Sequence, residues 1–261
     1  MKPAAPERPS ATTHPVHVVV LAAGRGSRLG ELGDCTPKWL LRVGDRTIAD
    51  RQLEGIARSS GAVESVRVVV GHAAEAIQAE LAQRPDDVGV VANPEYADLN
   101  NWWSLLRALR ELPADGPVVV VNADLLADPR AVAAFLRDAA EGDAQALLAV
   151  DFDKRLTDES MKVSAHADGT LARIGKVGID GAVGEYVGML AIRGEPLRRV
   201  RAVLESFVGR PGASNEWYEG AVGRTAADGA AWHLWAMPAG GWVEIDDNAD
   251  LEQAHSLGGA F

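Results

Sequence analysis

One cysteine, Cys35, stands in 261 residues, so the chain can form no internal disulfide. That suits a cytoplasmic enzyme, the location expected here. Positive charge is also scarce. Lys and Arg number 26 against 37 Asp and Glu, a formal charge of −11, which excludes a general nucleic-acid binder needing a basic stripe. No apolar run nears the roughly 20 residues a membrane helix requires, so no membrane partner is expected. The six histidines include no pair at zinc-ligand spacing. No Ser-His-Asp arrangement is suggested. Aromatics make up 5%, and the ratio is odd: Trp 7, Phe 4, Tyr 3. Lysine is rare as well. Only Lys2, Lys38, Lys154, Lys162 and Lys176 occur, so a compact point charge has few places to come from.

What is present begins with organisation. Residues 1–15 are rich in Pro, Ala and Thr without an apolar core, and read as a flexible tail rather than a signal peptide. Residues 16–261 read as one domain. Apolar strands at 16–21, 66–70, 88–92, 117–121 and 145–151 alternate with helical patterns near 47–59, 73–83, 101–111 and 129–140. This predicts an α/β fold, a Rossmann-like, mostly parallel sheet with helices on both faces. In such sheets ligands bind beyond the carboxyl ends of the strands. Residues 16–150 form a first half. Residues 151–261 form a second half: short strands over 161–192, helices near 195–208 and 214–227, strands at 231–236 and 242–245, and a closing helix near 247–257.

The most informative stretch is 18–43, VVVLAAGRGSRLGELGDCTPKWLLRV. A β-branched run opens into a small-residue loop, where exposed backbone N–H groups can approach phosphate oxygens, and Arg28 and Lys38 follow. It is neither a dinucleotide fingerprint, since Leu29 replaces the third glycine, nor a P-loop, since Lys38 lacks the flanking pattern. It resembles the L-A-A-G-x-G-x-R-L … P-K-x-L-L signature of nucleotidyltransferases, the nucleotide-diphospho-sugar transferase-like superfamily. The resemblance implies that Leu21, Ala22, Ala23, Gly24, Gly26, Arg28 and Lys38 bind the nucleotide, with Arg28 and Lys38 also catalytic.

Nucleotidyl transfer needs Mg²⁺ to neutralise a triphosphate, and Mg²⁺ prefers one or two carboxylates plus phosphate oxygens. Asp124 follows the strand at 117–121, where the family places an Asp. Asp246 matches the family's closing Ile-Asp pair. These two are the expected metal ligands, although the choice among carboxylates 244–250 stays open. Asp128, and Asp247 or Asn248, read as helix caps, and Asp250 as a first-turn acid.

Residues 93–106, NPEYADLNNWWSLL, resemble a segment of cytidylyltransferases acting on phosphocholine and 2-aminoethylphosphonate. That branch adds Asn101 and Ser104 to the nucleotide site; Asn100 or Asn101 can equally cap the helix that follows. It also implies acceptor-binding roles for Lys162, Lys176, Glu185, Tyr186, Trp217 and Glu219, with Lys162 among the catalytic residues. Trp102, Trp103, Trp217 and Trp232 could line a choline site, but packing is favoured for any one of them. Trp235 and Trp242 lie in strand-like segments. The expected partners are CTP and a small acceptor of phosphocholine, 2-aminoethylphosphonate or phosphonoformate type, and a homodimer stays open. The rival readings are a sugar-1-phosphate nucleotidyltransferase using UTP, dTTP or GTP, and a catalytically silent nucleotide-binding regulator.

Overall fold

The structure is a computed structural model that describes residues 13–257. Strand β1 (Val16–Ala22) leads into a 3₁₀ turn at Ser27–Leu29, helix α1 (Glu31–Cys35) and a second 3₁₀ turn at Lys38–Leu40. The hairpin β2 (Arg42–Val43) and β3 (Arg46–Thr47) follows, then α2 (Ile48–Ala57), β4 (Val63–Val70), α3 (Ala74–Leu81), β5 (Val88–Ala92), α4 (Asn101–Arg110) and β6 (Val118–Asn122). Next come β7 (Leu125–Ala127), α5 (Pro129–Glu141), β8 (Ala146–Asp151), β9 (Lys162–Ala165), β10 (Leu171–Gly175) and β11 (Gly184–Ile192). The chain closes with α6 (Gly194–Glu205), α7 (Tyr218–Ala227), β12 (His233–Ala236), β13 (Trp242–Glu244) and α8 (Asn248–Leu257). No described helix is long and apolar enough to cross a membrane.

The main sheet runs β10-β9-β11-β6-β1-β4-β5, with β8 joined to β11 and β12 to β8. β6, β1, β4 and β5 are parallel, as expected of βα units. Their valines face both ways. Val18 and Val20 pack on one side with Leu53 of α2 and Phe135 of α5, while Val19 packs on the other with Leu105 of α4 and Val222 of α7. That two-sided burial is why β1 is apolar without a break from Val18 to Ala22 rather than alternating. Local caps agree with the helix starts. Thr47 and Asp50 form a reciprocal capping box on α2, Asn100 caps α4, and Asp128 caps α5 ahead of Pro129.

The strands expected as short pieces over 161–192 include one long exception. β11 is nine residues and buried throughout. It runs antiparallel to β6 and β8, and its first residues pair with β9, so it spans the sheet from one half to the other. A register shift lies between Tyr186 and Leu190, and Gly188 there has φ 84°. A Cβ at Gly188 would also sit 3.0–3.3 Å from the Asn122 side chain. Gly188→Ala is expected to cost about 2 kcal/mol or more from left-handed strain and crowding together. Chemical denaturation would check this; an unchanged midpoint would mean that the bend relaxes freely.

Candidate active site

The loop after β1 is shaped by its glycines. Gly26 is left-handed, and a Cβ there would meet the Lys38 stem at 3.1 Å, so the lysine crosses directly over it. Gly33 packs on the Gly26 carbonyl, where a Cβ would lie 2.3 Å from the oxygen. The loop is also tied to the end of β4, because His72 N–H donates to Ala23 O and the His72 ring contacts Gly33 O at 3.1 Å.

The aspartates come from the middle and the far end of the sequence. Asp124 lies between β6 and β7, and β13 pairs antiparallel with β7, Glu244 opposite Leu125. Ile245 N–H donates to Asp124 O. This small ribbon brings Asp124, Glu244 and Asp246 together, with one oxygen of each within 4.8 Å of the others. α8 fixes the far side: Asp250 accepts from the N–H groups of Asp246 and Asp247, and Asp247 accepts from Ala249 and Asp250.

Lys38 Nζ bridges the cluster, 2.5 Å from Asp246 and 3.2 Å from Asp124, and Arg28 reaches Asp246 at 2.6 Å. Burial opposes the Lys38 charge, but Asp124 and Asp246 outweigh it and raise its pKa. Burial likewise opposes the Asp246 charge, and Lys38 and Arg28 outweigh it and lower its pKa. Glu244 is pushed up to about 8 by burial, then by Asp124 and Asp246.

These residues suit a divalent cation. Asp124 Oδ1 is buried and has no hydrogen-bond partner among the described residues, and crowded carboxylates with hard oxygens are the donors Mg²⁺ takes. Asp124 and Asp246, with Glu244 as a third oxygen donor, would hold it. When bound, it would neutralise charge on the triphosphate.

Two cavities meet here. One, of about 310 Å³, is lined by Leu21, Ala23, Gly24, Asn101, Ser104 and Asp124 among others. The second, of about 550 Å³, is lined by Asp151, Lys154, Ser160, Glu185 and Trp242 among others. Arg28, Glu244 and Asp246 line both.

A family model for the MobA-like NTP transferase domain matches residues 18–216, most of the chain. The chain belongs to this nucleotidyltransferase family. It is 33% identical over 250 residues to the CMP-5'-(3-aminopropyl)phosphonate synthase of Streptomyces rubellomurinus, covering 92% of this chain but only 38% of that relative's length. It is 31% identical over 110 residues to the 2-aminoethylphosphonate cytidylyltransferase of Lancefieldella rimae, covering 42% of this chain and 43% of the relative. Among solved structures, the CTP:phosphocholine cytidylyltransferase of Streptococcus pneumoniae superposes with TM-score 0.74 at 18% identity, covering 93% of this chain and 99% of that one, a likeness of fold.

Within this family member, Leu21, Ala23, Gly24, Arg28, Lys38, Asn101 and Ser104, all expected at the nucleotide, line the first cavity. Ala22 and Gly26 line a small adjoining recess with Lys38, Trp39 and Asp124. Asn100 caps α4, whereas Asn101 Oδ1 accepts from Tyr218 N–H at the start of α7 and its Nδ2 donates to Glu219. Ser104 accepts from Asn93 Nδ2.

The residues expected at the acceptor are dispersed. Lys176, Trp217 and Glu219 line the first cavity, Lys176 lying 5.2 Å from the Trp217 ring centre and 3.1 Å from Glu159. Glu185 lines the second. Lys162 and Tyr186 line neither. Lys162 Nζ donates to Lys176 O, and the Tyr186 hydroxyl is buried against that of Tyr218, which donates to Asn122. Trp102 and Trp232 are core, and Trp103 lies beside Arg107 and Arg110. Trp242 is a cavity wall, a role its strand-like setting concealed. Its signal was the two-residue period, which sets Trp242, Glu244 and Asp246 on one side of an extended segment.

Glu219 is pushed from its ordinary 4.5 up to about 7 by burial. A carboxyl raised on folding contributes stability below about pH 4.5 that is lost as pH rises through about 7. Glu219→Gln is therefore expected to flatten that loss, with a gain over the parent above pH 7 of up to about 3 kcal/mol. Urea midpoints at pH 5 and pH 8 decide it; parallel curves would show that Glu219 is not raised.

Proposed function

We propose that residues 16–261 act as one Mg²⁺-dependent cytidylyltransferase unit, with 16–150 holding CTP and 151–261 the acceptor. An oxygen of the acceptor's phosphate or phosphonate attacks the α-phosphorus of CTP in line, the bond from that phosphorus to the bridging oxygen breaks, and pyrophosphate leaves. The acceptor is already an anion, so no general base is needed. The observation that carries this reading is the position of Lys38, bridging Asp124 and Asp246 beside the wall that the two cavities share. Positive groups poised there can stabilise charge as it develops.

The loop backbone from Leu21 to Gly26 holds base and phosphates, and Arg28 and Lys38 hold the triphosphate and the departing charge. Asn101 and Ser104 complete the nucleotide wall. Lys176, Trp217 and Glu219 close the first cavity towards the acceptor. Lys162 acts through the Lys176 segment that it anchors, and Tyr186 through the hydroxyl chain to Asn122. That two of the relatives are a CMP-phosphonate synthase and a cytidylyltransferase supports CTP rather than the nucleotides of sugar-1-phosphate enzymes. Pyrophosphate release from CTP, UTP, dTTP and GTP with a panel of phosphate and phosphonate acceptors tests this. The expected result is turnover with CTP alone; turnover only with another nucleotide and a sugar phosphate, or none with any pair, would overturn it.

A further inference from the structure

Lys38 and Asp124 sit on segments that no backbone hydrogen bond joins among the described residues. Lys38 opens a 3₁₀ turn that closes on itself, with Leu40 N–H donating to Pro37 O and Leu41 N–H to Lys38 O. Asp124 lies in the turn between β6 and β7. One buried side chain spans the gap. Gln52 of α2 is 1% exposed; its Oε1 accepts from the Trp39 indole N–H at 2.9 Å, and its Nε2 donates to Asn122 O at 2.9 Å and Leu125 O at 2.8 Å. These partners fix the amide's orientation. An indole N–H needs an acceptor and two carbonyls need donors, so a flipped amide would lose all three bonds. Trp39 is fully buried beside Lys38, and Asn122 and Leu125 bracket Asp124. The Thr47–Asp50 capping box holds the start of α2, just ahead of Gln52. Gln52 lines neither cavity nor the adjoining recess.

We propose that Gln52 is a positioning residue for nucleotidyl transfer, setting the distance between Lys38 and Asp124 without touching a substrate. This rests on the reading that makes those two residues the catalytic cation and a metal ligand. Lys38 Nζ lies 3.2 Å from Asp124 Oδ2. An opening of about 1 Å would break that hydrogen bond and move the ammonium off the charge it is to stabilise. Ile245 N–H holds Asp124 O from the β13 side, and Gln52 relates the same aspartate to the lysine. An apolar side chain at 52 would leave the Trp39 N–H and two carbonyls buried without partners, and each segment would settle on its own. Glutamate there is protonated by burial and carries one donor for two carbonyls. It keeps the Trp39 bond and one of the carbonyl bonds.

The experiment makes Gln52→Met and Gln52→Glu in the parent and in a Lys38→Met background. Thr225→Val is the control, since it removes the buried Trp232–Thr225 hydrogen bond elsewhere in the core. Urea midpoints are measured in metal-free buffer, and turnover is measured with CTP and 2-aminoethylphosphonate, phosphocholine or phosphonoformate. Gln52→Met should lower kcat by about a hundredfold, while the KM for CTP rises by roughly threefold at most. Gln52→Glu should recover part of that loss. Thr225→Val should lower the urea midpoint but leave kcat at the parental value. The midpoint drop caused by Lys38→Met should shrink by roughly half in the Gln52→Met background, because a lysine out of register has less to lose. A kcat for Gln52→Met no lower than that of Thr225→Val, or a Lys38→Met drop of equal size in both backgrounds, would overturn the proposal. Should Gln52→Met not fold, Gln52→Glu decides by the same two comparisons. Absence of turnover in the parent with all three acceptors would instead remove the cytidylyltransferase reading, and the urea comparison would still decide whether Gln52 sets the lysine's register.

Discussion

Asp124→Asn is expected to lower metal-dependent turnover by about a thousandfold or more, several kcal/mol of lost charge stabilisation. Asp124 supplies the buried oxygen that lacks a partner, and an amide can offer a cation only a neutral oxygen. The fold should survive, because the backbone bond from Ile245 to Asp124 O is untouched and the side chain is nearly isosteric. A second readout follows from Glu244, whose carboxyl is pushed up to about 8 by burial and by Asp124 and Asp246. At pH 7 much of it is protonated, so magnesium uptake should release a proton. Calorimetry in two buffers of different ionisation enthalpy measures this release. A variant with parental turnover and parental magnesium affinity would exclude Asp124 from the site.

Lys38→Met should abolish turnover to a similar degree and also weaken the resting protein. Lys38, Asp246 and Asp124 have side chains 14%, 17% and 23% exposed, so the pairs are little screened by solvent. Removing the ammonium leaves crowded carboxylates with Arg28 as their one cationic partner among the described residues. The expected loss is about 2–3 kcal/mol without metal, somewhat below that for breaking a fully buried pair. Magnesium should restore more stability to this variant than to the parent, since an added cation replaces the missing one. Urea denaturation with and without magnesium measures both effects. Equal midpoints for variant and parent in metal-free buffer would mean that Lys38 does not neutralise the cluster.

Much of the architecture was legible because it rests on local chemistry. Valine runs gave β1, β4, β5 and β6, and Asn100 and Asp128 marked helix starts. The family signature was legible because it is contiguous, from Leu21 to Lys38. The acceptor side was harder. Glu185 and Lys176 were both expected at the acceptor, yet they line different cavities. Their separation depends on how β11, β9 and β10 pair, and no spacing along the chain expresses it. The contact between Lys154 and Trp242 was not legible for a related reason, since a tryptophan in a buried strand and a lysine in a loop look ordinary until they face each other.

The sequence by itself determined the layered α/β fold and its nucleotidyltransferase kinship, because backbone propensity, capping and a contiguous motif are properties of neighbours along the chain. Only the tertiary structure decided which of the carboxylates at 244–250 joins Asp124, how the two cavities share a wall, and where Lys154 meets Trp242 and Glu185. Those depend on the β7–β13 ribbon and the crossing of β11, which bring residues more than a hundred positions apart to within an ion-pair distance.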